Sequence, residues 1–508
     1  MAAAVNAIPE EDSIAGEIAT ALKHSFIYGM GGFLLKGIGF FLLPLYTHYL
    51  SPRDYGVFEI LELSVSLLGM LLNMGITAAL LRYYGAAETA AQKRKVVGSI
   101  FLFTVLTAAV IFLAGSLSVR QVTGILFGPG VPATYLFLSF SAFLLAYIAN
   151  VPYTSLRAKE ASGTVVAFDT VTTIGLFALN IYFIAVMKLA LLGMLLSRLI
   201  TNVISTAVLV KWTSRELFCG MDWKLLRRVI GFGAPLVFSN LTMFTLNFSD
   251  RFFLQRFQSI EIVGIYAVGY KFGFMLNFLL IQPFNMMWQA RMYIVHGRPD
   301  HQKVFSRIFV LYSALLIFAA LGMAVFGPEL MRRMVDSRYS AGGAVIAVVS
   351  LSYVFLGTGF YLQLGMFLTS RTGLIGIVST AAAALNLGAN YFLIMHFGML
   401  GAAWATVIGF LAIAAGSYYC SERVCPLALP VGRVARALAV AIAIYLLSRV
   451  LPGSSLAIVL LLKSVLIAAF PALLWISGCF STDEIATLRS LWVGVLRLLR
   501  PARLRGEM

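Results

Sequence analysis

Charge is scarce along this chain, so the ionisable residues inside its long apolar stretches draw notice first. Lys36, Arg198, Arg251 and Lys271 fall at membrane depth if those stretches cross a bilayer, as do Asp169 and Asp250. A charged side chain in hydrocarbon is costly and by default marks a substrate or ion path. Lys36 lies about 20 Å of helix from Lys23, too deep to reach the interface easily. Arg198 is about ten residues into its apolar stretch, and Lys271 about eight into its own. Asp250-Arg251 has a second reading, an ion pair that only fixes helix position, and Arg198 and Asp169 have one as a mutual or backbone-satisfied pair. Lys463, in a late stretch, is expected to snorkel outward. Cations outnumber carboxylates in the deep set, and a surplus of positive charge selects an anionic substrate. Glu59 and Glu62, one helical turn apart, join Asp169 and Asp250 as candidates for coupling transport to proton exchange, because burial raises a carboxyl pKa.

Enzyme chemistry finds no support. The run Gly31-Gly-Phe-Leu-Leu-Lys-Gly lacks the spacing of a phosphate-binding loop, and its glycines suit close helix packing instead. His, Cys and Asp nowhere show zinc-ligand spacing, so neither metal nor cofactor is expected. Cys219, Cys420, Cys425 and Cys479 read as incidental apolar or interfacial residues. Asn240-Leu-Thr and Asn247-Phe-Ser match the glycosylation pattern only by chance, inside an apolar span.

These residues need positioning elements, and composition says which kind. Of 508 residues, 60% are hydrophobic and 12% charged, against about 45–50% and about 25% in soluble domains. The fold class expected is an all-α polytopic membrane protein. At about 20 residues per crossing, fourteen spans are predicted: 22–46, 56–80, 97–117, 133–155, 165–187, 189–209, 229–254, 263–288, 304–326, 343–368, 372–395, 397–419, 434–447 and 456–476. The loops left over are too short for a folded domain, which excludes a built-in ATPase or a receptor ectodomain. The net charge of +17 follows from the positive-inside rule rather than from nucleic-acid binding. Lys and Arg divide 25 to 8 between the two sides of this topology, placing both termini in the cytoplasm. Residues 1–21 are acidic and read as a cytoplasmic tail.

An internal repeat organises the spans. Lys95-Val-Val-Gly-Ser-Ile-Phe101 returns 208 residues later as Lys303-Val-Phe-Ser-Arg-Ile-Phe309, and Gly56 and Gly264 share that offset. Asn180-Ile-Tyr-Phe-Ile resembles Asn390-Tyr-Phe-Leu-Ile, and Phe127-Gly-Pro resembles Phe326-Gly-Pro. The matches predict an N-terminal six-helix lobe (22–210), a basic cytoplasmic linker (211–228), a C-terminal six-helix lobe (229–420) and two additional helices (433–477). An even number of spans gives both halves one orientation, so a cavity between the lobes is the expected route for alternating access. Residues 481–508 follow a capping-box pattern and read as a basic amphipathic helix on the anionic cytoplasmic leaflet.

Two stretches carry a family resemblance. Leu43-Pro-Leu-Tyr-Thr-His-Tyr-Leu-Ser-Pro-Arg-Asp-Tyr-Gly56, and Ser249-Asp-Arg-Phe-Phe-Leu followed by Val263-Gly-Ile-Tyr-Ala-Val-Gly-Tyr-Lys271, resemble the polysaccharide-transport, Wzx-type oligosaccharide flippase branch of the multidrug/oligosaccharidyl-lipid/polysaccharide exporter superfamily. The resemblance implies two six-helix bundles, often with two further helices. It also implies flipping of an undecaprenyl-pyrophosphate-linked oligosaccharide across the bacterial inner membrane for surface polysaccharide synthesis, by a monomer working beside a polysaccharide polymerase and glycosyltransferases. Arg251 and Lys271 are motif positions, whereas Lys36 and Arg198 rest on depth alone. A drug/cation antiporter of the same superfamily would need an acidic cavity. A major-facilitator transporter would carry a Gly/Asp/Arg-rich loop that the run from Arg82 to Lys95 lacks. A membrane glycan polymerase or ligase would expose a long outer loop.

Overall fold

The computed structural model describes residues 40, 42–73, 75–218, 220–450 and 456–480. The expected tail 1–21, most of the span 22–46 with Lys36, Cys219 and the expected amphipathic segment 481–508 lie outside the described residues. The described chain is helical throughout and forms two compact units. The first holds the described residues up to Ala267 together with Met334–Tyr339; the second holds Val268–Arg333 and the chain from Ser340 onward.

In the first unit, α1 (Leu43–Tyr49) leads into α2 (Pro52–Asn73) and α3 (Ile76–Gly85). Gly75, at φ 65°, separates α2 from α3, a left-handed backbone that glycine adopts without a Cβ penalty. Helix α4 (Ala90–Phe127) opens on a capping box in which Thr89 and Gln92 satisfy each other's backbone amides. Its 38 residues measure about 57 Å, well beyond a hydrocarbon core of about 30 Å. Helices α5 (Ala133–Ala158), α6 (Ser162–Asn180), α7 (Ala190–Leu217) and α8 (Trp223–Phe257) complete this unit with the first turns of α9 (Ile260–Leu276). Asp222 caps α8 through the amides of Lys224 and Leu225 and meets Lys95 at 3.1 Å. These hydrogen bonds, led by that of Leu225, hold its carboxyl below the usual range. Between Trp223–Gly233 and Val237–Phe257, α8 bends by 41°.

The short segment Met334–Tyr339 closes α1. Arg338 donates to the carbonyls of Thr47 and His48 at 3.0 Å each, and the Tyr339 hydroxyl donates to the Leu50 carbonyl. A guanidinium thereby satisfies carbonyls that a helix C-terminus leaves open. The same Arg338 holds the Asp336 carboxyl below its ordinary range.

The second unit contains α10 (Gln282–His296), α11 (His301–Met334, as far as Arg333), α12 (Gly343–Leu362), α13 (Leu364–Leu368), α14 (Gly373–Val424), α15 (Val431–Val450) and α16 (Leu456–Ile476). An aromatic stack forms part of its core: Phe284 lies 3.7 Å from Tyr312, Trp288 lies 5.2 Å from Tyr361, and the Tyr361 hydroxyl donates to the Phe305 carbonyl. Helix α14 is in fact a hairpin. Gly398 adopts φ 55° and ψ −129°, and Asn386 donates to the carbonyl of Ala405 at 2.8 Å. In a continuous helix those residues would stand roughly 28 Å apart.

Eleven helices among the described residues are long and apolar enough to cross a membrane, twelve with the bent α8. With α14 read as two arms, every expected span from 56–80 onward has a helix over it.

The repeat is visible in backbone geometry. Glu160 and Ser370, 210 residues apart, both have φ 57° at the turns into α6 and α14, and Lys188 and Gly398, at the same offset, both have φ 55°. Gly56 and Gly264 meet reciprocally: each packs its bare Cα against the other's helix, Gly56 on the Ile260 carbonyl and Gly264 on the Pro52 carbonyl. The match of Phe127-Gly-Pro to Phe326-Gly-Pro does not hold as an equivalence. Gly128, at φ 65°, ends α4, whereas Gly327 and Pro328 lie inside α11, where Gly327 makes room for Ile346. Lys463 also departs from expectation. Instead of snorkelling it is buried, donating to Glu329 at 2.7 Å and to the Val325 carbonyl at 3.3 Å.

Candidate functional site

The deep charges of the first unit that lie among the described residues are partnered. Arg198, on α7, pairs with Glu62 of α2 rather than with Asp169; its side chain keeps 40% of its surface exposed. Asp250 and Arg251 form a closed cluster at the far end of α8. The Arg251 guanidinium donates to Asp250 at 2.7 Å and to the Asn247 carbonyl at 2.8 Å, and the Tyr266 hydroxyl donates to the other Asp250 oxygen at 2.5 Å. Phe248 and Tyr266 present their rings to the guanidinium at 5.4 and 5.2 Å. Arg251 is only 2% exposed, so the ion-pair reading of this dipeptide describes its geometry here. Glu59 is half-buried on α2, and Lys271 half-buried on α9 in the second unit. Among the described residues no three His, Cys, Asp or Glu side chains gather as metal ligands.

Asp169 lies elsewhere, in a chamber of about 810 Å³ inside the first unit. Five helices build it. Helix α2 contributes Ser66 and Asn73; α5 contributes Tyr147, Asn150 and Tyr153; α6 contributes Asp169, Thr172 and Thr173; α7 contributes Asn202 and Ser205; and α8 contributes Asn240. Such a chamber is possible because small and polar residues interrupt the apolar surface of each helix, and Gly69 lets Phe143 close over α2.

Part of this polarity is committed to holding the walls in place. Tyr153 donates to Asp169 at 2.8 Å, Asn150 donates to Thr77 at 3.0 Å, Asn202 donates to the Ala142 carbonyl at 2.8 Å, and Tyr147 donates to the Leu72 carbonyl at 3.2 Å. Thr172 returns its hydroxyl to its own helix at Phe168. The side chains of Ser66, Thr173, Ser205 and Asn240 make no such bond among the described residues. Among the described residues no Lys or Arg lines the chamber, and Asp169 is the one charged residue there. Volumes of roughly 300–1,000 Å³ with a few convergent polar groups are typical of ligand sites.

Sequence reasoning singled out Asp169 but not the surrounding amides and hydroxyls, because Ser, Thr and Asn are unremarkable one at a time in an apolar span. The signal that could have found them is their recurrence one turn apart, as in Asn150–Tyr153 and Asp169–Thr172–Thr173.

Comparison with known proteins fits this architecture. A family model described as polysaccharide biosynthesis protein matches residues 21–287, more than half of the chain and inclusive of both motif stretches. No curated protein sequence matches significantly. Among solved structures, the lipid II flippase MurJ in an inward closed conformation superposes with a TM-score of 0.70 at 10% identity, covering 91% of this chain and 100% of that one. An inward-facing multidrug resistance MATE family transporter of the MOP superfamily gives 0.60 at 12% identity, over 80% of this chain and 95% of its own. A mutant of the Vibrio cholerae MATE transporter VcmN gives 0.53 at 16% identity, over 82% and 99%. The shared fold is thus an all-helical polytopic membrane fold.

Proposed function

We propose, on the premise that the chain belongs to the polysaccharide biosynthesis protein family, that it flips a polyprenyl-pyrophosphate-linked oligosaccharide from the cytoplasmic to the periplasmic leaflet of the bacterial inner membrane. One conjunction supports this reading: a family described by polysaccharide synthesis on a fold shared, over 91% of the chain, with a flippase of a lipid-linked precursor. The substrate's physics then sets the task. A pyrophosphate cannot enter about 30 Å of hydrocarbon unpaired, since desolvation costs at least several kcal/mol after relaxation. Fixed cations must take over from its water, and Lys36, Arg198, Arg251 and Lys271 are assigned that role. Arginine supplies forked hydrogen bonds and lysine a mobile point charge. The carboxylate partners of Arg198 and Arg251 keep these cations compensated between turnovers, and the arriving pyrophosphate competes for them. Of the coupling candidates, Asp169 lines a chamber, whereas Asp250 and Glu62 are held by arginines and Glu59 shares α2 with Glu62. Asp169 is therefore ranked first for exchanging a proton.

The test is export of a lipid-linked oligosaccharide in cells lacking their own flippase, with membrane levels of each variant checked. The wild-type chain restores export. Alanine at Lys36, Arg198, Arg251 or Lys271 lowers it about tenfold or more, as loss of a charge-assisted hydrogen bond of about 1.5–3 kcal/mol implies, and Arg251→Lys lowers it less than Arg251→Ala. Normal export by all four alanine variants, singly and combined, removes the cations from the mechanism. Resistance to cationic drugs without restored export identifies a drug antiporter instead.

A further inference from the structure

The chamber of the first unit has a chemistry different from that required by a pyrophosphate. Among the described residues its walls carry no cation, and Asp169 would repel an anionic group. An apolar chain is equally misplaced, because it would strip water from Ser66, Thr173, Ser205 and Asn240 without replacing their hydrogen bonds. A sugar ring suits these walls. Its hydroxyls both donate and accept, as the lining hydroxyls and amides do. Its carbon faces can lie against the aromatic rings of Phe143, Tyr147 and Phe168, which also border the space. The volume of about 810 Å³ admits more than one ring and its waters. Asp169 has one oxygen committed to Tyr153, leaving the other as an acceptor for a ligand hydroxyl.

We infer that this chamber is the glycan subsite: it holds uncharged sugar units of the cargo while the pyrophosphate is bound by cations elsewhere. The inference rests on the flippase reading given above and adds to it where the sugar is recognised and which sugars qualify, namely neutral hexoses, 6-deoxyhexoses and N-acetylhexosamines rather than sugar acids. The location agrees with loading from the cytoplasm. Thr206 and Leu209 on α7, Tyr153 on α5 and Asp169 on α6 all border the chamber, and each stands on the half of its helix that the Lys and Arg bias assigns to the cytoplasmic side. Asn202 and Asn150 are the positioning groups, since their amides hold α7 and α5 in register through Ala142 and Thr77.

The experiment uses the full-length protein in proteoliposomes. The probes are undecaprenyl pyrophosphate carrying neutral trisaccharides of the three classes named, and undecaprenyl pyrophosphate carrying no sugar. The variant is Thr173→Val with Ser205→Ala and Asn240→Leu, which removes hydrogen-bonding groups at nearly constant shape and leaves the ion pairs and wall bonds in place. Expected is at least a tenfold loss in translocation of the glycosylated lipid with less than a twofold change for the bare lipid, whose passage also reports that the variant is folded. If the wild type moves glycosylated lipid and the triple variant moves it equally well, or slows both lipids alike, the chamber is not a sugar site while the flippase reading stands. If the wild type moves neither lipid, the flippase reading fails and takes this inference with it. Translocation of the organic cation tetraphenylphosphonium that is lost in the triple variant, with glycosylated lipid unaffected, reassigns the chamber to cationic ligands.

Discussion

Lys463 was free by its sequence to reach an interface and instead spends its charge inside the second unit. Its ammonium is 2.7 Å from Glu329, with side-chain exposures of 11% and 16%, and it caps the Val325 carbonyl one turn before Pro328 enters α11. Both charges have given up most of their water, so the pair contributes through what its loss would leave behind. Replacing Lys463 by Met strands the Glu329 carboxylate, whose second oxygen already lacks a hydrogen-bond donor. The expected cost is about 3–5 kcal/mol, read as a fall in the thermal midpoint of the purified protein. Lys463→Met combined with Glu329→Gln should recover most of that loss, because a neutral amide needs no counter-ion. A double variant as unstable as the single one would show that the lysine stem, not the charge pair, holds α16 to α11.

At the scale of elements, the repeat acts through backbone approach more than through side-chain identity. Gly56 and Gly264 contact each other's helices so closely that a methyl group on either would overlap a carbonyl oxygen. Gly56→Ala and Gly264→Ala should each destabilise by about 1–3 kcal/mol or more, the range for overpacking. Gly175→Ala in α6, where nothing lies within reach of a new Cβ, should be neutral or stabilising by up to about 1 kcal/mol. Thermal unfolding of the three variants side by side checks this, and equal behaviour would remove the close-packing account. The left-handed residues that end spans at Glu160, Lys188, Ser370 and Gly398 are the same device used twice. Only one of the four is glycine, so these turns are held by the helices on either side of them rather than by local preference.

For the whole molecule, orientation in the bilayer is the property on which every functional statement turns. Ser214, in the linker region at the end of α7, and Arg120, near the end of the long helix α4, are both exposed and stand on opposite sides of the topology set by the Lys and Arg bias. In a background free of other cysteines, Ser214→Cys should resist a membrane-impermeant maleimide added outside intact cells and react in inverted vesicles. Arg120→Cys should do the reverse. The opposite labelling pattern would invert the topology and place the polar chamber nearer the outer leaflet.

Much of this protein was legible without coordinates. Apolar stretches of membrane-spanning length must become helices, because lipid offers no partner for an unpaired amide or carbonyl. The repeat offset likewise paired Gly56 with Gly264, which the structure brings into contact. The partners of the charges were not legible. Arg198 meets Glu62 and not Asp169, and Lys463 meets Glu329, 134 residues away; such choices depend on how each helix is rotated about its axis, which local sequence does not dictate. The chamber was hidden for the same reason. Thr172, Asn202 and Ser205 are ordinary span residues taken singly, and Thr172 looks satisfied by its own helix. Apolarity acts locally and is written in the sequence, whereas convergence of polar groups from five helices is a property of packing, decided only when the helices close around the space.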